Sequence, residues 1–243
     1  MHSTEAGFIE GRAEAVTMLC RIFTQKASSE EVEQVYIVRF YAVISRALKS
    51  QSPRLISAVV LNAEDLFRVD LPGVEMLIPL VMSALDRILP DSDLKFFEPF
   101  CESTVTLRKC AANLLLSLIP YIITLPDLQV VEIPGIDMDD PEDIVDKLGD
   151  LQPRAVHLLN GALETETNED NTHIILAGLY YTLQECSSRE KDCLTNPNAP
   201  RGGLGNNGGS GIGGKDLSRN ATRSFQLHSA YTVVLDVVCL LGT

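Results

Sequence analysis

The chain is short of positive charge. Its 20 Lys and Arg stand against 33 Asp and Glu in 243 residues, a net charge of −13 with a pI near 4.7. Phosphate backbones and anionic membrane surfaces are recognised by clustered Lys and Arg, and the basic residues here are scattered. Nucleic acid and an anionic membrane surface are therefore not expected as partners; membrane insertion is not expected either, for want of a long apolar run. The opening MHSTEAGFIEGR has no basic region followed by an apolar core, so it does not read as a signal peptide. No uncharged apolar run reaches the ~18 residues of a membrane span. The nearest, 114–125, is broken by Pro120, and 233–241 carries Asp236. These absences predict a soluble, cytoplasmic chain. The last residues, VVLDVVCLLGT, stop inside an apolar helical pattern and read as a fragment or truncated product of something longer.

Reactive constellations are equally scarce. The six cysteines (Cys20, Cys101, Cys110, Cys186, Cys193 and Cys239) form no CxxC pair. Cys20, Cys110 and Cys239 fall among apolar helical positions, where a thiol acts as a small hydrophobe, and size and spacing favour structural thiols in a reducing compartment. Cys193 has no base, orienting carboxylate or oxyanion site near it in sequence, so it is not expected to be a nucleophile. His157 and His173 have no second histidine three or four residues away and make no zinc pair on a helical face. The segment Gly209-Ser210-Gly211-Ile212-Gly213-Gly214-Lys215 matches most of a phosphate-binding loop, but Asp216 stands where a metal-binding Ser or Thr is required. The acidic run 137–143 lacks the alternating carboxylates, central glycine and terminal glutamate of a calcium loop; it reads as a solvated loop or, at most, a docking motif for a basic partner. Asn220-Ala221-Thr222 is a formal glycosylation sequon that, without a secretory signal, reads as inert. No catalytic, cofactor-binding or metal-binding residue is expected, and no cofactor.

What the chain does have is helical periodicity, with 45% hydrophobic residues to feed a continuous core. Leu107, Cys110, Ala111, Leu114, Leu115, Leu118 and Ile119 make an i, i+3, i+4, i+7 stripe. Arg108, Lys109 and Asn113 fall off it and are expected to be wet. One amphipathic helix cannot bury its stripe alone, so successive helices must stack.

Further helices are expected over 12–25, with Val16, Leu19, Cys20 and Phe23 inward, and from a Ser28/Glu31 capping box to about Lys49. Ser52-Pro53 restarts helix over 55–67, and Leu71-Pro72-Gly73 is a turn signal. The pattern over 74–89 is a helix that either begins near Pro79 or kinks there. Residues 125–150 hold nine acidic residues against one lysine, with three prolines, and read as an irregular connection. Helix resumes at Gln152-Pro153, with Ala155, Val156, Leu159, Ala162 and Leu163 apolar. A polar turn over 164–171 and a helix over 174–185 follow. The adjacent aromatic pairs Phe40/Tyr41, Phe96/Phe97 and Tyr180/Tyr181 point about 100° apart on a helix, as core or inter-helix fillers.

Eight of the 13 residues over 202–214 are glycine, a linker by composition. The expected organisation is a helical-repeat scaffold over 1–190, a Gly-rich linker over 195–216, and the start of a further helical segment over 217–243, with helix over 223–241. The fold class is all-α, an armadillo- or HEAT-like stack of roughly seven or eight helices.

Five segments in order sharpen this reading: GRAEAVTMLCRIF (11–23), VYIVRFYAVISRAL (35–48), VVLNAEDLFRVDLPGVEMLIPLVMSALDRILPD (59–91), LRKCAANLLLSLIP (107–120) and LLNGALETETNEDNTHIILAGLYYTLQE (158–185). Together they resemble the large subunits of the Ral GTPase-activating protein complex, the beta-type partner subunit more than the alpha-type catalytic one. The LFRVDLPGVEMLIP string lifts the match above composition, because Asp70, Pro72 and Gly73 have no generic reason to sit there. The resemblance implies a long α-helical scaffold before a C-terminal GAP or GAP-like domain, which in the alpha type supplies a catalytic asparagine. The matched stretch lies in the scaffold, so no residue here inherits that role. It further implies an alpha-type, GAP-domain partner subunit and, indirectly, Ral-type GTPases. The competing expectation is an unrelated armadillo-like adaptor, for instance in trafficking.

Overall fold

In a computed structural model, the described residues are 2–25, 32–50, 52–130 and 145–195, with side chains described over 7–25, 32–50, 52–130 and 145–188. They form seven α-helices and no strand beyond an isolated bridge between Gln129 and Lys147. The chain divides into two units, Met1–Leu176 and Ala177–Thr243.

The first unit contains α1 (His2–Thr24), α2 (Gln34–Lys49), α3 (Pro53–Asn62), α4 (Ile78–Asp86), α5 (Thr104–Thr124), α6 (Gln152–Thr165) and the start of α7 (Glu169–Thr195). Packing follows a simple rule. Helix α1 lies on α3 and α3 on α5, while α2 lies on α4 and α4 on α6; contacts also join α1 to α2, α2 to α3, α4 to α5 and α5 to α6. Odd helices thus make one layer and even helices the other, the expected all-α helical stack. Its repeat is longer than about 40 residues because long connections separate the pairs.

Helix α1 starts well before position 12. Gly7 and Gly11, which weaken an isolated helix, are carried inside it, while Ala13, Val16 and Cys20 are buried. In α2 the buried Ile37, Phe40, Tyr41, Ile44, Ala47 and Leu48 trace one face, and Phe40 stacks on Phe23 with ring centroids 4.3 Å apart. The capping box at Ser28 and Glu31 falls outside the described residues. Pro53 takes the first turn of α3 as expected. The helix ends at Asn62, however, rather than near 67. Residues 64–70 are turns that still bury Leu66 and Phe67, so their apolarity signals burial, not helix.

The Leu71-Pro72-Gly73 turn is present, with Gly73 at φ 77° and Asp70 at φ 55°. The Tyr41 hydroxyl donates to the Pro72 carbonyl (2.9 Å) and that of Tyr121 to the Phe67 carbonyl (3.2 Å), tying the turn to both layers. Pro79 resolves toward a helix start: Val74–Leu77 is a 3₁₀ turn, and α4 begins at Ile78 with Pro79 in its first turn. Pro120 does not end α5, which runs on to Thr124.

Helix α5 is enclosed by α3, α4, α6 and the 3₁₀ turn Leu148–Leu151. It is long and apolar enough to cross a membrane by length and composition, yet it buries twelve of its residues within the stack. After it, the bridge at Gln129 and Lys147 is reinforced by an ion pair from Lys147 to Asp127 at 3.1 Å. The core of the expected irregular connection, 131–144, lies outside the described residues. Helix α6 buries Ala155, Val156, Leu159 and Ala162 as expected, and Leu158 besides; Leu163 is half-buried. The polar turn is only 166–168, because α7 already begins at Glu169, where the side chain of Asn168 accepts from the Asn171 backbone N–H at 3.1 Å.

Of the second unit, the described part is the remainder of α7, 177–195, within which the Thr182 hydroxyl donates to the Gly178 carbonyl at 2.8 Å. The helix is longer at both ends than the expected 174–185. Apart from Thr195, which ends α7, the linker over 195–216 falls outside the described residues, as do the phosphate-loop match, the sequon and the helix over 223–241.

Candidate functional site

The polar chemistry of the first unit is concentrated where helices meet. The deepest cluster centres on Arg108, in the second turn of α5. Its Nε donates to Glu166 Oε2 at 2.8 Å, and the two side chains are 6% and 3% exposed. Nη1 donates to the Asp91 carbonyl at 2.6 Å, and Nη2 donates to Thr165 Oγ1 at 2.8 Å and to the Ala162 carbonyl at 3.3 Å. The Thr165 hydroxyl has the Leu89 carbonyl 2.9 Å away. Asn171 Nδ2 donates to the Val105 carbonyl (3.1 Å) and to Glu166 Oε2 (3.2 Å). Glu166 Oε1 accepts the backbone N–H groups of Thr167 and Asn168, both at 2.9 Å. The guanidinium fork thus joins the loop after α4, the start of α5 and the end of α6, and Glu166, through Asn171, adds the start of α7 to the same clasp.

Burial alone would raise the Glu166 carboxyl. The Arg108 hydrogen bond, the backbone N–H groups and the Arg108 charge outweigh it and hold the group below its ordinary value of 4.5. The carboxylate is therefore ionised, and its lone pairs are taken. A buried pair with this many engaged donors and acceptors orients helices; it does not present a reactive group.

Smaller links repeat the pattern at the rim. Arg54 of α3 reaches Glu10 and Glu14 of α1, and Arg21 of α1 donates to Asn62 Oδ1 of α3 at 2.9 Å. Arg154 of α6 grips Asp86 and Ser83 of α4, and Asn113 of α5 donates to Glu64 Oε1 at 2.7 Å. These contacts hold neighbours within each layer and fix their spacing.

The residues weighed in sequence are not brought together. His157 and His173 are both exposed, and among the described residues no group of His, Cys, Asp and Glu is placed to hold a metal ion. Cys20 is fully buried, which pushes its thiol up to about 12. Burial, aided by the Glu64 charge, pushes Cys110 up to about 11, and burial also raises Cys101. These thiols stay protonated and behave as packing groups. Cys20, Cys101 and Cys110 take part in no disulfide. The side chains of Cys193 and Cys239 and the acidic run 137–143 lie outside the described residues. Of the aromatic pairs, Phe40, Tyr41 and Phe97 are buried, but Phe96 (77%) and Tyr180 (69%) are exposed, so filling holds for one member of those later pairs at most.

Two corrections concern the polar positions of α5. Arg108 is buried, not wet, and Asn113 is half-buried and bonded to Glu64; Lys109 alone is exposed as expected. The stripe identified the helix, but an enclosed helix leaves little wet face for its off-stripe residues. The available signal was the polar run Glu164-Thr165-Glu166-Thr167-Asn168, which holds the carboxylate and hydroxyl that Arg108 uses.

Comparison with known proteins gives matches over about three quarters of the chain. It is 36% identical over 189 residues to the human Ral GTPase-activating protein subunit beta, covering 74% of this chain and 12% of that protein. It is 35% identical over 186 residues to the rat subunit beta, covering 74% and 11%. It is also 28% identical over 200 residues to a Rap-GAP domain-containing protein of Dictyostelium discoideum, covering 73% and 11%. The matched part is thus about an eighth or less of the length of these relatives. No family model and no solved structure matches.

Proposed function

This chain is homologous to the beta subunit of the Ral GTPase-activating protein over three quarters of its length, and on that premise we propose that it is a helical scaffold segment of a GTPase-activating complex. Its role in that reading is non-catalytic. It holds a surface of stacked helices on which a GAP-domain, alpha-type subunit assembles in the cytoplasm, and it acts on Ral-type small GTPases through that partner.

The observation that carries this reading is the 36% identity over 189 residues to a protein named as a GAP subunit. The construction of the first unit supports it. The buried Arg108–Glu166 pair and the rim contacts from Arg54, Arg154 and Asn113 are engaged in joining helices, the investment expected of a rigid platform.

Co-purification tests it. The chain, expressed with an affinity tag in cells, is expected to bring down a GAP-domain subunit. Recovery of coat or cargo proteins in its place would favour an unrelated armadillo-like adaptor and overturn the proposal.

A further inference from the structure

Helix α1 carries a second apolar stripe that the stack does not use. Ala13, Val16 and Cys20 face α3 and the core. On the opposite side Phe8, Gly11, Ala15, Met18 and Ile22 are all exposed, the three large side chains at 67%, 55% and 60%. Their 3-4-3-4 spacing is that of a coiled-coil seam over two heptads, with Phe8, Ala15 and Ile22 at a positions and Gly11 and Met18 at d.

We propose that this face pairs antiparallel with α1 of a second copy of the chain. Size complementarity argues for it. With the two-fold axis between Ala15 and Met18, each small residue meets a large one: Ala15 opposes the other copy's Met18, and Gly11 opposes its Ile22. A Cβ built on Gly11 meets nothing within 4 Å, so the notch is open to receive a side chain. Charge argues the same way. In this register Glu14 and Arg21 flank the seam at g positions, and each faces its opposite across the axis. Both are exposed, and each now spends itself on weak rim contacts to α3. Two heptads bury little, so the association belongs to the weak class, below about 1,200 Å².

Sedimentation of the full chain from about 1 μM to about 1 mM tests the pairing. A reversible monomer–dimer equilibrium is expected. Gly11→Leu, which fills the notch on an exposed helix and should itself favour helix, is expected to weaken dimerisation by at least about tenfold, a change of about 1.4 kcal/mol. Arg21→Glu is expected to weaken it too, and adding Glu14→Lys to restore it. A chain that stays monomeric throughout overturns the proposal. So does tighter association of Gly11→Leu, which would mean non-specific apolar contact, or failure of the charge exchange to rescue. Circular dichroism of each variant confirms that the helices are retained.

Discussion

Arg108 Nε and Glu166 Oε2 meet at 2.8 Å inside the stack, from positions 58 residues apart. The pair joins the loop after α4 to the ends of α5, α6 and α7, and its geometry governs several expectations.

Replacing Arg108 by Met leaves the Glu166 carboxylate buried and strips the Asp91 and Ala162 carbonyls of a donor. Breaking a buried pair on one side costs about 3–5 kcal/mol. Urea denaturation should show that loss for Arg108→Met. Arg54→Met, at an exposed rim pair, should cost under about 1 kcal/mol.

Acid sensitivity follows from the direction of the Glu166 shift. The folded carboxyl lies below its ordinary value of 4.5, so its stabilisation is complete above that value and disappears as pH falls through the lower folded one. Denaturant midpoints of the wild type should drop in that acid window. Glu166→Gln should be less stable at neutral pH and lose less on acidification; an equal acid slope in both proteins would remove Glu166 as its source.

Leu115 is fully buried in α5, and Leu115→Ala should cost about 2–5 kcal/mol through lost burial and a residual cavity. Asn113→Ala should cost about 0.5–1.5 kcal/mol, because its bond to Glu64 goes and the acceptor stays half-buried. Thermal or denaturant melts rank the two. Equal costs would mean that α5 is not the enclosed helix described here.

Gly73 sits at φ 77°, and a Cβ there would lie 3.2 Å from the Met76 Cε. Gly73→Ala should cost about 1–2 kcal/mol from the left-handed backbone, with the Met76 side chain displaced. Tyr41→Phe, which removes the donor to the Pro72 carbonyl, should cost about 1 kcal/mol at the same turn. Both are read from melting curves.

The stripe of α5 was legible because periodicity reports burial directly: Leu107, Cys110, Ala111, Leu114, Leu115, Leu118 and Ile119 are all buried. The proline signals held at Pro53 and Pro79, where φ and the missing N–H suit a first turn. Pro120 interrupts the apolar run without interrupting the helix, because tertiary enclosure carries α5 past a local breaker. Arg108 was unreadable for a related reason. Its partners come from the loop after α4, the end of α6 and Glu166 just beyond it, and no local pattern encodes which distant carboxylate will arrive beside an off-stripe cation. The end of α3 was missed because Leu66 and Phe67 are buried from a turn, and burial alone does not distinguish a turn from a helix.

The most direct measurement is single-turnover GTP hydrolysis on a Ral-type GTPase, with the chain alone and in complex with a GAP-domain, alpha-type subunit. A non-catalytic scaffold segment predicts the intrinsic rate with the chain alone and acceleration only when the subunit is present. Acceleration by the chain alone would contradict the scaffold role.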